Sequence, residues 1–192
     1  MVTPYHHGTL RPALLQAAET LLVREGLGAL TLRATAREAG VSHAAPAHHF
    51  GDLSGLLSEL ASIGFLRLHA FIEAQERDAI PADRFRAQMR GYVRFASEHP
   101  ALFQLMFRSE RLDWTNAALS GAGGAAFALL TASDRGGRTG ESGIVGAMAR
   151  WSYVHGLASL LIDGRLKAVA DKFGEANVEA LTEALLNRSG FN

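Results

Sequence analysis

The chain has 192 residues, 48% hydrophobic and 20% charged, an ordinary globular balance with room for one sizeable core or two small ones. It contains no cysteine, which excludes disulfides, zinc–thiolate sites and thiol catalysis. Its 19 basic and 19 acidic residues cancel, so bulk charge does not advertise nucleic-acid binding, and any such reading must come from pattern.

No basic stretch followed by an apolar run opens the sequence, and no uncharged apolar run approaches the ~18–20 residues needed to span a bilayer. A cytoplasmic location without membrane partners is therefore expected. Alternating β-branched runs are absent, and the expected fold class is all-α. A first helix is predicted over about 10–24, with Leu10, Leu14, Ala17, Ala18, Leu21 and Leu22 on one face and Gly26 as a left-handed cap. Thr31 should cap a short helix over about 32–39, which Gly40 breaks. Ser42 should cap another over about 43–49. Phe50-Gly51-Asp52 separates these from a long helix over about 53–76, striped by Leu56, Leu57, Leu60, Ile63, Leu66 and Ala70.

Pro81 suits the start of the next helix, ending near His99, and Pro100 opens a short apolar one over 101–107. A weaker helix is expected over 114–130, interrupted by Gly121, Gly123 and Gly124, and then a loop over 131–142. The stretch 143–162 is apolar nearly all round and should be buried on several sides. A last helix, about 175–186, carries Val178, Leu181 and Leu185 on one face.

Residues 31–50 carry the most informative pattern, two short helices joined by Ala39-Gly40-Val41-Ser42. Small Ala36 lets the second helix cross closely, Gly40 can take a positive φ, Val41 plugs the wedge, and Ser42 caps a helix whose start would enter a major groove. A plain helical hairpin is the bland alternative. In the helix-turn-helix reading, Ser42, His43, Ala44 and Ala45 form the exposed start of a recognition helix. His43 can donate to guanine, and Ala44 or Ala45 can meet a thymine methyl. Thr31 and Arg33 are placed for phosphate, and His48 faces the same way. Pro46 in the first turn costs little and stiffens the reading head.

Thr31, Ala36, Ala39-Gly40-Val41-Ser42 and His49-Phe50, followed by a long helix, resemble the DNA-binding domain of TetR-family regulators over about 10–60. Tyr5-His6-His7-Gly8, Glu98-His99-Pro100-Ala101-Leu102-Phe103, Leu105-Met106-Phe107 and Trp151-Ser152-Tyr153-Val154-His155-Gly156-Leu157 resemble the branch of that family known by a Trp-His-Gly signature. The resemblance implies a DNA-binding domain over 1–52 and a helical effector-binding and dimerisation domain over 53–192, with 53–76 linking them. It implies a homodimer on a double-stranded, near-palindromic operator, released by a small-molecule effector. Two departures stand out. The family usually has Tyr or Trp where this chain has Ala47, and Lys where it has Leu53, both phosphate contacts. Their loss predicts a salt dependence shallower by about 0.9 per contact. Thr35 also replaces the usual Ile or Val.

The second half concentrates aromatics. The resemblance favours a cavity among its helices, for which Met89, Tyr92, Phe95, Phe103, Met106, Phe107, Trp151 and His155 are candidates. Trp151 and His155, at i and i+4, share a face, although His155 can equally be a core histidine satisfied by a carbonyl. Gly156 would permit close helix approach. For the dimer the candidates are Leu157, Leu160, Leu161, Val178, Leu181 and Leu185. An enzyme is not supported. There is no phosphate loop, no nucleophile motif and no His-Glu-x-x-His spacing, and the adjacent His6-His7 make a poor metal site, so no cofactor or metal is expected. The rival is a helical interaction module whose DNA binding is weak or lost, supported by Ala47 and Leu53.

Overall fold

A computed structural model describes residues 7–108, 110–132, 143–174 and 177–188. Tyr5-His6 of the N-terminal arm and 133–142 of the expected loop lie outside the described residues. The helices are α1 His7–Glu25, α2 Leu32–Glu38, α3 Ala45–Phe50, α4 Leu53–Glu76, α5 Arg84–Glu98, α6 Pro100–Arg108, α7 Ala117–Ala132, α8 Gly143–Ile162, α9 Arg165–Lys172 and α10 Val178–Asn187. No strand occurs among the described residues, and the fold is all-α as expected.

Two compact units emerge, residues 1–65 with 101–122, and residues 66–100 with 123–192. In the first, the predicted stripe of α1 (Leu14, Ala18, Leu21, Leu22) is buried, together with Leu56, Leu57 and Leu60 of α4. α1 packs on α2, and α2 on α3. Phe65 stands edge-on to Phe107 at 5.3 Å and to Trp114 at 5.8 Å between ring centroids. Gly64 brings α4 against α6, where an added Cβ would lie 2.5 Å from Met106 Sδ.

In the second unit α5 packs on α8, and α10 on α5 and α9. Gly91 lets α5 approach α4, since a Cβ there would lie 2.6 Å from the Phe71 carbonyl oxygen. Arg90 bonds Glu183 at 2.9 Å and Asn187 at 3.2 Å, and the Tyr153 hydroxyl donates to the Leu185 carbonyl at 2.7 Å, tying α10 down.

Several boundaries differ from the sequence reading. α1 begins earlier, by His7, and runs through Pro12. Pro81–Asp83 is a 3-10 turn ahead of α5. α7 begins at Ala117 rather than near Trp114, because the Asn116 side chain accepts from the backbone N–H of Ala118 and Leu119 and so ends the preceding turn. α9 was not anticipated, and α10 begins at Val178, where Asn177 accepts from the N–H of Glu179 and Ala180. α8 is less enclosed than expected, for Ile144, Val145, Met148 and Leu160 are all exposed. α4 is long and apolar enough to cross a membrane by length and composition, but 56% of its apolar window is buried inside the protein.

Candidate functional site

The segment 31–50 is built as a helix-turn-helix. Thr31, in extended backbone, caps α2 by accepting from the Ala34 N–H at 3.0 Å. Buried Thr35 donates its hydroxyl to the Thr31 carbonyl at 3.0 Å, so the polar group at this core position is satisfied. Gly40 has φ 67, its N–H reaches the Arg37 carbonyl at 3.2 Å, and Val41 N–H reaches the Ala36 carbonyl at 3.0 Å. These paired bonds form a Schellman closure, which needs a positive φ at the glycine. Val41 is half-buried, so it only partly fills the wedge.

Ser42 is not the cap of α3. The helix begins at Ala45 with Ala44 as its cap and no side-chain bond, because Ala45 N–H closes a turn on the Ser42 carbonyl at 3.0 Å. Pro46 occupies the first turn and is buried with Phe50, and these two anchor α3. The opposite side is open. Ser42, His43, Ala44, Ala47 and His48 are exposed, as are Thr31 and Arg33, while Ala45 and His49 are half-buried. His49 packs between His48 and Phe50, with ring centroids 5.6 and 6.3 Å away.

Sequence reasoning missed the residues that hold α3 in place. Arg11 of α1 lies 5.5 Å over the Phe50 ring and pairs with Glu59 of α4. Burial raises the Glu59 carboxyl above its ordinary value, against the opposing pull of Arg11. Asp52 caps α4 by accepting from Gly55 N–H at 2.9 Å. Gly55 is required, since a Cβ there would sit 2.1 Å from the Phe50 carbonyl oxygen. Arg24 bonds both Glu38 oxygens, at 3.0 and 2.8 Å, clamping α1 to α2 and holding that carboxyl below the usual range. The only available signal was an i+14 charge pair, which has no local periodicity.

The eight pocket candidates divide between the two units. Phe103, Met106 and Phe107 belong to the first unit, with the Phe103 and Phe107 rings 4.8 Å apart. Met89, Tyr92, Phe95, Trp151 and His155 belong to the second. There Trp151 Nε1 donates to the Tyr92 hydroxyl at 3.3 Å, and that hydroxyl lies 2.9 Å from His155 Nδ1. With Nδ1 unprotonated, Tyr92 donates to it and the imidazole proton sits on Nε2. Burial pushes the Tyr92 phenol well up, only partly offset by Trp151, so it stays protonated and can donate. Met89, Tyr92 and Phe95 are buried, whereas Trp151 and His155 are half-exposed. Among the described residues no group of three or more His, Cys, Asp or Glu could hold a metal ion.

Of the dimer candidates, Leu157 is 6% exposed and belongs to the protomer core rather than to an outer face. Leu160 is 45% exposed, and Leu161, Val178, Leu181 and Leu185 are half-buried. The outer face of α8 runs instead through Ile144, Met148, Ser152, Gly156 and Leu160 at four-residue spacing, with Val145 beside it. Gly156 does not serve a close approach within the protomer, since an added Cβ would meet nothing within 4 Å.

Residues 14–60 match the family described as bacterial regulatory proteins, tetR family, and residues 85–186 match the tetracyclin repressor-like C-terminal domain. A protein of unknown function from Rhodococcus sp. RHA1 is 34% identical, with a TM-score of 0.77, covering 98% of this chain and 97% of that one. The TetR family transcriptional regulator PfmR from Thermus thermophilus shares the fold at 21% identity and a TM-score of 0.65, covering 92% of this chain and 96% of that one. The HTH-type transcriptional regulator BetI from Vibrio atlanticus (strain LGP32) is 34% identical over 83 residues, 43% of this chain, and the match spans only 41% of that relative's length. With both halves matched in order on an all-α frame, the chain belongs to the TetR family.

Proposed function

We propose that the protein is a sequence-specific DNA-binding transcriptional regulator, acting as a repressor released from a palindromic operator by a small, largely apolar effector. The observation that carries this reading is the exposed face Ser42-His43-Ala44 with His48, presented by a helix whose other side is anchored through Pro46 and Phe50. Thr31 and Arg33, exposed at the start of α2, supply the phosphate contacts. The regulator belongs to the Trp-His-Gly branch through Trp151, His155 and Gly156, and works in the cytoplasm, where its operator is. Residues 1–52 form the reading head, and 53–192 the sensing and dimerising part.

The dimer forms through α8 and α10. Leu160, with Ile144, Val145 and Met148, makes an uncharged face that burial against a twin would cover, and half-buried Leu161, Val178, Leu181 and Leu185 would add to the interface. Two-fold symmetry then sets the recognition helices about one turn, ~34–36 Å, apart. The effector uses the Trp151–Tyr92–His155 relay for orientation within an apolar surround. It acts by preferring the conformation with wrongly spaced reading heads, with a coupling typically of ~1–3 kcal/mol.

Selection from random duplex DNA tests the reading. Enrichment of a palindrome is expected. No enrichment even at low salt would favour an interaction module descended from such a regulator, a reading supported by exposed Ala47 and by Leu53 at the two positions where the family usually grips phosphate.

A further inference from the structure

A cleft of about 640 Å³, within the range of small-molecule sites, opens in the second unit away from the residues assigned above. The last turn of α4, the connection through Arg77, Ala79 and Pro81, the first two turns of α5, and α7 near its end meet there. The floor is built and satisfied. Gln88 is 1% exposed, and its Nε2 donates to Glu76 Oε2 at 3.0 Å and to the Leu129 carbonyl at 3.2 Å. Glu76, itself largely buried, is also ion-paired to Arg84. These contacts fix the carboxylate and the carboxamide before any ligand arrives.

The rim is different. Glu73, in the last turn of α4, and Arg77, just past its end, are exposed, one turn apart through the Arg77 N–H bond to the Glu73 carbonyl at 3.1 Å, and are not paired with each other. Glu73 faces His69 Nδ1 at 3.4 Å, an ion pair only when the imidazole is protonated. Arg77 has no ion pair among the described residues. We propose that this cleft binds a small zwitterion, with Arg77 receiving its carboxylate and Glu73 its ammonium group.

The lining favours a doubly charged ligand over the simpler classes. A lone anion would enter beside Glu73, Glu76 and the Leu129 carbonyl. A lone cation would meet Arg77 and Arg84. An apolar molecule would strip water from charged groups without replacing the hydrogen bonds it removes. Only a ligand carrying both charges meets a partner for each. Side chains one turn apart have Cβ atoms about 5–6 Å apart, which suits ammonium and carboxylate groups separated by a short alkyl chain.

Calorimetric titration of the full-length protein tests this directly and without DNA, so its outcome is separate from the operator reading. The probes are 4-aminobutanoate, 5-aminopentanoate and 6-aminohexanoate, with pentylamine and pentanoate as single-charge controls. At least one zwitterion is expected to bind about tenfold tighter than both controls, the worth of one charge-assisted hydrogen bond. Arg77→Gln should reduce its affinity to that of the amine, and Glu73→Gln to that of the carboxylate, with both variants melting like the parent because both side chains are exposed. Zwitterions binding no better than the controls, or unchanged affinity in both variants, would overturn the assignment.

Discussion

The Tyr92 hydroxyl lies 2.9 Å from His155 Nδ1, so a buried phenol on α5 and a half-exposed imidazole on α8 are joined inside the second unit. Trp151 adds its indole N–H to the same oxygen. Tyr92→Phe deletes the shared atom and both hydrogen bonds made to it. Thermal or urea unfolding should show a loss of about 1–3 kcal/mol, the cost of unmaking buried hydrogen bonds. His155→Ala should cost less, since Tyr92 keeps Trp151. A Phe variant as stable as the parent would mean that the relay contributes nothing to the fold.

Two glycines near the reading head should fail for different reasons. Gly40→Ala meets open space but must hold φ 67, a penalty of about 1–2 kcal/mol. Gly55→Ala places its Cβ 2.1 Å from backbone oxygen and forces α4 away from Phe50. It should therefore destabilise more, by about 3 kcal/mol. Equal melting temperatures for the two would show that the contact at Gly55 relaxes freely.

The outer and inner faces of α8 are separable by mutation. Leu160→Glu should shift sedimentation from dimer to monomer while leaving the protomer folded, because the residue is 45% exposed. Leu157→Ala should instead cost about 2–5 kcal/mol of stability through a core cavity. Monomer formation by the core variant alone would relocate the interface.

Leu53→Lys restores a cation at the start of α4. If that position faces phosphate, the logarithm of DNA affinity should fall more steeply with the logarithm of salt concentration, by about 0.9. Arg33→Gln should flatten the same slope by a similar amount. Slopes identical to the parent in both variants would remove the phosphate contacts from the reading.

The Arg24–Glu38 clamp makes a signed pH prediction. Hydrogen bonding to Arg24 lowers the folded-state pKa of Glu38 below its unfolded value. The clamp's contribution is therefore complete above the unfolded carboxylate pKa and is lost as pH falls through the folded one. Arg24→Gln should narrow the difference in stability between neutral and acidic solution. The effect is small because the pair is exposed. An unchanged pH profile would count against the clamp.

How much was legible beforehand depended on the range of the interactions involved. Helices such as α1, α4 and α8 were readable because runs rich in Ala and Leu between glycine and proline breakers are written in adjacent residues. The cap at Thr31 and the turn at Gly40 were readable for the same reason, since each needs only its neighbours. Ser42 misled because its serine is an ordinary capping residue, and the turn that moved the cap to Ala44 was set by how α3 seats Pro46 and Phe50 in the core. α9 was missed because it is only eight residues long, about two turns, too short for its apolar face of Leu166, Val169 and Ala170 to stand out as a period. The sequence alone thus determined the all-α class, the helix-turn-helix and the family. Only the tertiary structure decided which apolar residues were core and which were surface. Leu157 and Leu160 are the same residue type on one helix, yet 6% and 45% exposed, because a helix apolar all round does not encode which side meets its neighbours. The pairings Tyr92–His155, Arg11–Glu59 and Gln88–Glu76 were likewise invisible, since a contact between distant positions exists only after the chain has folded.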